Sequence, residues 1–251
     1  MLIQSFPQSK YIKKKGDNPL SILTLNNKII TLGGSVIKVP LAKKGDLINM
    51  DLDGNGNKTY RILKMDNNIA EVMAMYDTST VVPPFDSKLS NIYATFSNTA
   101  KAAIISKTMY QYQYNYNSSV YNAETHASYI DYNTKVQVKS IGKQFIYGID
   151  LENIESYFNS VFSSEDLWLL FWNTTSRPTG SKDIWLSSAT NYSDNPEEAM
   201  YIWIDYLGWI THCVVRGRVN GQPKYNYRPI RPAFQIDLSK IPFTKTTEVI
   251  S

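Results

Sequence analysis

The amino-acid sequence predicts an α+β fold in which strands near both ends of the chain flank two short helices. Residues 45–50 and 58–64 predict a hairpin, because Asp, Gly and Asn, the residues that turns favour, fill the stretch between them. Asp150 and Ser163 predict two helix starts, since their side-chain oxygens accept the unpaired N–H groups of a first turn. Aromatic and β-branched residues from 200 to 215 predict a second hairpin.

Composition and charge limit the classes of protein to which the chain belongs. Its 251 residues suffice for one large domain or two small ones. Lysine and arginine number 26 against 22 acids, and the net charge of +4 is too small to indicate a nucleic-acid partner. The single cysteine, Cys213, excludes an intrachain disulfide and a Cys-rich zinc site. The sequence shows neither a signal peptide nor an apolar run of the roughly 18 residues that a membrane helix needs. It therefore predicts cytoplasmic synthesis and no membrane insertion.

Residues 1–40 predict a small β-rich arm that precedes a main domain at residues 41–251. The first 18 residues are polar and irregular, and their lysines favour a solvated tail. Three strands follow, joined by Asn-Asn and Gly-Gly turns that tolerate positive φ; they lie at residues 20–25, 28–32 and 35–39. The arm is either an attachment or oligomerisation module or an extra sheet packed on the main domain.

The loop between the first two main-domain strands resembles a calcium-binding loop only in part. Asp51, Asp53 and Asn55 occupy the first, third and fifth positions of such a loop, and Gly56 the sixth. The twelfth position, where a bidentate Glu is needed, holds Ile62. The sequence therefore predicts a plain turn without a metal.

The middle of the chain predicts a strand, two short helices and a tyrosine ladder. The strand lies at residues 68–76, and the helical patterns lie within residues 87–106. Tyrosines then recur at every second position, on one face of any strand formed there; they are Tyr110, Tyr112, Tyr114 and Tyr116. The ladder is either an exposed stacking surface for sugar or protein or packs onto the body, and we expect a partly exposed loop or strand. Residues 118–133 are polar and predict a long loop.

Two helices and a last strand complete the predicted core. The helices cover residues 151–158 and 167–172, and the second carries an apolar stripe that faces the core. The last strand covers residues 233–238 and follows Pro232, which has no N–H group and therefore suits the start of a strand. Residues 241–251 predict a peripheral end.

The order of several motifs resembles one family of domains. In chain order the motifs are GDLI at residues 45–48, YRIL at 60–63, IAEVMA at 69–74, YGIDLENI at 147–154, WLSSA at 185–189 and RPAFQIDL at 231–238. Together they resemble a family of domains of unknown function that occurs in Gram-positive gut bacteria and their phages. The resemblance covers roughly residues 41–240. It implies a C-type-lectin-like fold and carries over no catalytic residues.

The resemblance implies a non-enzymatic structural protein of a phage particle. The expected place is a tail or head fibre or a receptor-binding component that acts in adhesion. A capsid decoration protein that binds other virion proteins is the alternative, and a glycan-active enzyme is the third candidate. The implied partners are other virion proteins, a bacterial surface protein or a glycan, and the chain is expected to form a homo-oligomer in the virion.

Few residues in the sequence match catalytic or metal-binding patterns. The adjacent His212 and Cys213 resemble a nucleophile pair, but neighbouring side chains of a strand point to opposite faces. His126 is the one other histidine, which leaves too few for a zinc site. Neither a glycine-rich phosphate loop nor a nucleophile elbow occurs. The sequence therefore predicts no enzyme, no cofactor and no metal.

Aromatic residues are the candidate binding groups. The chain has 18 tyrosines and 5 tryptophans, side chains that supply large contact areas at low entropic cost. One set of candidates is the tyrosine ladder. The other set lies at the tip of the late hairpin and in the predicted loop after it; it comprises Tyr206, Trp209, Tyr225 and Tyr227. We expect Trp185 and Trp203 to be core residues instead.

Overall fold

The fold combines strands and helices, with more strand than helix, which fits the predicted α+β class broadly. The computed structural model describes residues 11–12, 20–25, 28–31, 36–37, 42–81, 85–116, 130–159, 162–178, 183–190, 200–204, 210–214, 216–219, 222–225 and 227–249. Within these residues the strands form four sheets, of four, five, seven and two strands.

The N-terminal residues form an antiparallel sheet whose four strands pair in chain order. The strands are β1 (Tyr11–Ile12), β2 (Leu20–Leu25), β3 (Lys28–Thr31) and β4 (Val36–Ile37). The last three confirm the predicted strands. The first was missed because two residues are too short to show a periodic pattern. The two predicted turns lie outside the described residues, and the role of the arm stays a prediction.

The remaining elements follow in two halves. The first half comprises β5 (Leu47–Met50), β6 (Lys58–Asp66), β7 (Ile69–Ala74), α1 (Asp86–Thr95), α2 (Asn98–Ala103), β8 (Ile104–Ile105), β9 (Lys107–Tyr116) and β10 (Ile130–Gln144). The second half comprises β11 (Tyr147–Gly148), α3 (Leu151–Phe158), α4 (Ser164–Trp172), β12 (Ile184–Thr190), β13 (Met200–Ile204), β14 (Ile210–Val214), β15 (Arg216–Val219), β16 (Gln222–Tyr225), β17 (Pro232–Asp237) and β18 (Thr244–Thr246).

The seven-stranded sheet has the order β11-β17-β7-β6-β5-β18, and β8 also pairs with β17. The first main-domain hairpin, β5 with β6, is confirmed, as are β7 and the two helices α1 and α2. Strand β17 lies inside the sheet, between β7 on one side and β11 and β8 on the other. Pro232 stands at its first position, as predicted from its missing N–H group.

Both faces of this sheet are covered, so its strands contribute to two cores. Ile62, Val72 and Phe234 lie in the core formed with α1 and α2. Met73 and Met75 lie in a second core, formed with α3, α4 and the five-stranded sheet. Successive side chains of a strand point to opposite faces. Burial on both faces therefore explains why these strands read as nearly continuous apolar runs.

The five-stranded sheet has the order β10-β9-β12-β13-β14. Its β13–β14 hairpin confirms the second predicted hairpin. The loop predicted at residues 118–133 ends earlier than expected, because β10 begins at Ile130. Strand β10 is polar, pairs with β9 along one edge and shifts register at three places, so it lacks the alternation that predicts a strand.

The two predicted helix starts are confirmed, each with a capping box. The Asp150 carboxylate accepts the N–H of Asn153, whose side chain accepts the N–H of Asp150. Ser163 and Asp166 make the same reciprocal pair at α4. Each box satisfies two of the N–H groups that a helix start leaves unpaired. The apolar stripe predicted for α4 is also buried; it consists of Leu167, Leu170 and Phe171.

Two buried arginines hold the C-terminal end of α4. The Arg61 guanidinium donates to the carbonyls of Leu169 and Leu170, at 2.9 and 3.0 Å. Arg231 donates to the carbonyl of Phe171 and pairs with Asp77 at 2.9 Å. The carbonyls of Leu170 and Phe171 are among the last four of α4, which have no partner within the helix, whereas the Leu169 carbonyl also accepts the N–H of Asn173. The arginines therefore satisfy the end of α4 with charge of the sign that its dipole favours.

The end of the chain is part of the fold, which corrects the prediction of a peripheral end. Ile241 is buried in the first core. Strand β18 pairs antiparallel with β5, and Lys245 lies 2.7 Å from the carboxylate of Asp46. The prediction failed because a short, threonine-rich edge strand carries little apolar signal. The predicted loop after the late hairpin is likewise corrected, since β15 and β16 pair as a hairpin.

Replacing Arg61 by leucine should destabilise the protein by about 3 kcal/mol or more, because each buried acceptor left without a donor costs about 1 to 3 kcal/mol. Urea denaturation measures the change in free energy of unfolding. Lys64→Leu, an exposed position on the same strand, is the matched control and should change stability by less than about 0.5 kcal/mol. Equal stability of the two variants would contradict the role given to Arg61.

Removing residues 241–251 should lower the midpoint of thermal unfolding strongly, because it deletes the buried Ile241 and the pairing of β18 with β5. Ending the chain after Glu248 is the control, since it keeps β18 and the Glu248 carbonyl, which faces the hydroxyl of Thr59. Both chains are compared by circular dichroism melting. A melt of the shorter chain that coincides with that of the control would show that the end is peripheral after all.

Candidate functional site

The tyrosine ladder lies on β9, between β10 and β12 in the five-stranded sheet. Tyr114 is fully buried in the second core, so at this position the ladder packs onto the body, which is one of the two alternatives. Tyr110 and Tyr112 are partly exposed, and their rings meet edge to face with centroids 6.5 Å apart. The side chain of Tyr116 lies outside the described residues. The ladder thus runs from the core at Tyr114 to the surface at Tyr110.

A charged cluster surrounds the ring of Tyr112, and we call it the cradle: Tyr112, Lys135, Glu152 and Glu155. The Lys135 ammonium lies 5.1 Å from the centroid of the Tyr112 ring, within cation–π range. It also lies 3.6 Å from the Glu152 carboxylate and 3.9 Å from that of Glu155. The cradle therefore joins β9, β10 and α3 at one place on the surface.

The cradle side chains keep partial contact with water. The exposed fractions are 35% for Lys135, 38% for Glu152 and 29% for Glu155. Burial raises the pKa of Glu155, Lys135 lowers it and Glu152 raises it. Burial and a hydrogen bond with Glu152 raise the pKa of Tyr112, so its phenol stays protonated at neutral pH. The cradle thus offers an aromatic ring, two carboxylates and one loosely held ammonium.

A buried polar network fixes α3 behind the cradle. The Glu71 carboxylate on β7 lies 2.7 Å from the Lys107 ammonium and accepts hydrogen bonds from the Tyr147 hydroxyl and the Asn153 amide. Burial and the nearby Glu71 charge raise the pKa of Tyr147 well above its ordinary value. One carboxylate therefore connects β7, β9, β11 and α3. A buried charge needs several partners of this kind.

Asp150 is the most perturbed acid whose position the structure gives. Burial raises its pKa to about 7, although the N–H of Asn153 donates to its carboxylate and lowers the pKa. The hydroxyl of Ser188 on β12 accepts the next free N–H of α3, that of Leu151, at 2.8 Å. Asp150 is enclosed by its helix cap, so the geometry assigns it to structure rather than to proton transfer with a substrate.

The second set of candidate binding residues is described only in part. Tyr227 is 60% exposed. The next residue, Arg228, stacks over the Trp185 ring, 4.8 Å from its centroid. Trp185 is fully buried, as predicted. Tyr206 and Trp209 lie outside the described residues. So do the side chains of Tyr225 and Trp203, whose backbones belong to β16 and β13.

The loop at residues 51–57 is organised by hydrogen bonds within it. Asp51 accepts the N–H of Gly54 at 2.7 Å, and Asp53 accepts that of Asn55 at 3.1 Å. The Lys58 ammonium lies 2.6 Å from the second oxygen of Asp53. Both carboxylates thus stabilise a turn. In the part of the chain that the structure describes, no group of three or more His, Cys, Asp or Glu is arranged to hold a metal.

His212 and Cys213 lie on β14, opposite Ile202 and Tyr201 of β13. Their side chains lie outside the described residues, so the expectation that alternation along the strand separates them stays a prediction. His126 lies outside the described residues.

Sequence reasoning missed Lys135, Glu152 and Glu155. The sequence could have predicted that the two glutamates lie together, because Asp150 marks the start of a helix and residues three apart in a helix share one face. No pattern in the sequence predicted the position of Lys135, since it lies in the irregular stretch where β10 shifts register between Asp131 and Val136. Such bulges re-aim side chains in a way that alternation does not predict.

Comparison of the chain with protein-family models, curated protein sequences and solved structures finds no significant match. Among the described helices, none is long and apolar enough to cross a membrane.

Asp150→Asn should remove a pH dependence of stability. A raised folded-state pKa means that the stability due to Asp150 is complete below its unfolded pKa and is lost as the pH rises through about 7. The wild-type protein should therefore lose stability relative to the asparagine variant between about pH 4 and pH 7, by at most about 1.4 kcal/mol per pH unit. Asparagine also caps helices well. Urea denaturation across this range measures the difference.

Asp237→Asn is the control for this measurement and should behave in the opposite sense. Burial alone would raise the pKa of Asp237, but hydrogen bonds from Ser239 and Lys240 lower it overall. Its contribution to stability is therefore present at neutral pH and disappears as the pH falls. A pH-independent difference between Asp150→Asn and the parent would show that Asp150 does not titrate in this range.

Proposed function

We propose that this chain is a non-enzymatic structural protein of a phage particle, a fibre or receptor-binding component that acts through a C-type-lectin-like domain. The motif order described above supports the class of protein. The observation that carries a binding role is the partly exposed pair Tyr110 and Tyr112, held on an inner strand of a five-stranded sheet. Rigid aromatic residues at a surface lose little entropy when they are covered by a partner.

The roles of the buried polar groups also favour binding over catalysis. The Glu71 carboxylate is used by three donors, and the Asp150 carboxylate caps α3. Each contact supports the fold rather than an open reaction site. The cradle glutamates share the Lys135 ammonium. The glycan-active enzyme of the sequence analysis is therefore the less supported proposal.

Labelled electron microscopy of phage particles tests the proposed place of the protein. Antibodies against the chain should label sparse projections at the tail or the head. Regular labelling over the whole head surface would instead support the alternative, a capsid decoration protein. Particles that bind no antibody, although the purified protein does, would contradict both.

Tyr110→Ala should weaken attachment to cells or to the neighbouring virion protein, because truncating a contact aromatic typically costs about 2 kcal/mol or more of binding. The melting temperature should change little, since Tyr110 is partly exposed. Tyr114→Ala is the matched comparison on the same strand. Tyr114 is fully buried, and its loss should cost about 3 to 5 kcal/mol of folding stability. Unchanged attachment by the Tyr110 variant would place the contact surface elsewhere.

A further inference from the structure

A lysine, a glutamate and an asparagine meet at one oxygen atom of the buried network behind the cradle. The Lys107 ammonium lies 2.7 Å from Oε1 of Glu71, and the side-chain N–H of Asn153 donates to the same oxygen at 3.2 Å. Glu71 and Asn153 are buried, and Lys107, with 29% of its side chain exposed, reaches them from the start of β9. One carboxylate therefore holds the nitrogen of an amine next to the nitrogen of an amide.

These three groups together have the chemistry of an acyl transfer. A neutral lysine amine is a nucleophile, the side-chain carbonyl carbon of asparagine is an electrophile, and a carboxylate that contacts both nitrogens is placed to move protons between them. Burial favours the neutral amine, because transfer of one proton from the Lys107 ammonium to Glu71 removes two charges from a site of low dielectric constant. The contacts thus bring a nucleophile, a proton carrier and an electrophile together.

The start of α3 supplies a donor for the oxygen that gains charge in such a reaction. The backbone N–H of Asp150 donates to Oδ1 of Asn153 at 3.1 Å, as part of the capping box. Attack at Cγ of Asn153 develops negative charge on Oδ1, and a fixed backbone N–H stabilises that charge. Oδ1 stays on Cγ when the nitrogen is exchanged, so the capping box survives the reaction.

We propose that Lys107 and Asn153 form an intramolecular isopeptide bond, with Glu71 as the proton carrier. Glu71 takes a proton from the Lys107 ammonium, and the freed lone pair of Nζ attacks Cγ of Asn153. Glu71 carries two protons in turn from Nζ to Nδ2, and the Cγ–Nδ2 bond breaks as Nδ2 departs as ammonium. The products are one amide between the two side chains and one ammonium ion, and Glu71 returns to its starting form. The chain is its own substrate, so the reaction needs no open site and no external ligand.

The isopeptide bond joins β9 to α3 and closes a ring from residue 107 to residue 153. A covalent link of this kind stabilises a fold mainly because it restricts the unfolded chain, as a disulfide does. It also keeps β9 and α3 together when the protein is pulled, which suits the proposed fibre. The chemistry itself does not rest on that proposed function.

Mass spectrometry of the purified, denatured full chain tests the proposal. The intact mass should fall below the mass calculated from the sequence by one ammonia, and tryptic digestion should release a branched peptide in which Lys107 is joined to Asn153. Cyclisation of an asparagine before a glycine, as at Asn55-Gly56, also releases ammonia, so the branched peptide decides and not the mass alone. A parent chain that yields no such peptide overturns the proposal, whatever the variants do.

Lys107→Arg and Glu71→Gln separate the reaction from simple contact. Arginine keeps a positive charge beside Glu71 but stays protonated and does not attack, and glutamine keeps the shape of Glu71 but does not carry protons. Neither variant should yield the branched peptide. Lys143→Arg, at an exposed position of the neighbouring strand β10, is the matched control and should yield as much of it as the parent.

Circular dichroism identifies the variants that are folded. A branched peptide that contains Asn153 in a folded Lys107→Arg or Glu71→Gln chain overturns the proposal, because the bond then forms through other groups. If neither variant folds, the branched peptide of the parent remains the deciding observation. None of these results depends on phage particles, so a failure here leaves the microscopy test of the proposed function untouched.

Discussion

The contact on which the fold most depends is the one between two buried arginines and the C-terminal end of α4. Arg61 comes from β6 and Arg231 from the start of β17, so both fix the helix to the seven-stranded sheet. Burying two cations is costly unless every donor finds a partner. The carbonyls of α4, Asp77 and the side chain of Asn173 provide those partners. The position of α4, and with it the second core, therefore depends on these two side chains.

A second set of polar contacts fixes α3 and thereby positions the residues of the cradle at the surface. Glu71 joins β7 to β9, β11 and α3, and Ser188 holds the start of α3 against β12. The glutamates of α3 consequently face a fixed side of β9, where Tyr112 lies. The cradle is assembled from residues 112 to 155, yet its geometry is set by buried groups that never reach the surface. This is the support that a binding site needs to keep its shape.

The parts of the fold that the sequence predicted are those governed by local rules. Asp150 and Ser163 cap their helices, and Pro232 starts its strand, because each constraint acts within one turn of the chain. Strands β10 and β18 were missed because their stability comes from pairing with a neighbour rather than from their own apolar pattern. The burial of Tyr114 could not be predicted for a related reason. Period two shows that four tyrosines share a face, but the neighbours decide how deeply each one lies.

The motifs on which the family resemblance rests contain residues that stabilise the fold. YRIL supplies Arg61, IAEVMA supplies Glu71, YGIDLENI supplies the cap of α3, and RPAFQIDL supplies Arg231. Arg61, Glu71 and Arg231 make buried polar contacts between elements, and Asp150 makes one within the start of α3. Replacing one partner of such a contact leaves the other unsatisfied. Contacts of this kind stabilise a fold and imply no particular activity toward a partner. Function must then be sought among residues outside these contacts, and the partly exposed ring of Tyr112 with Glu152 and Glu155 of α3 is such a place. Glu152 lies within YGIDLENI but takes no part in these contacts.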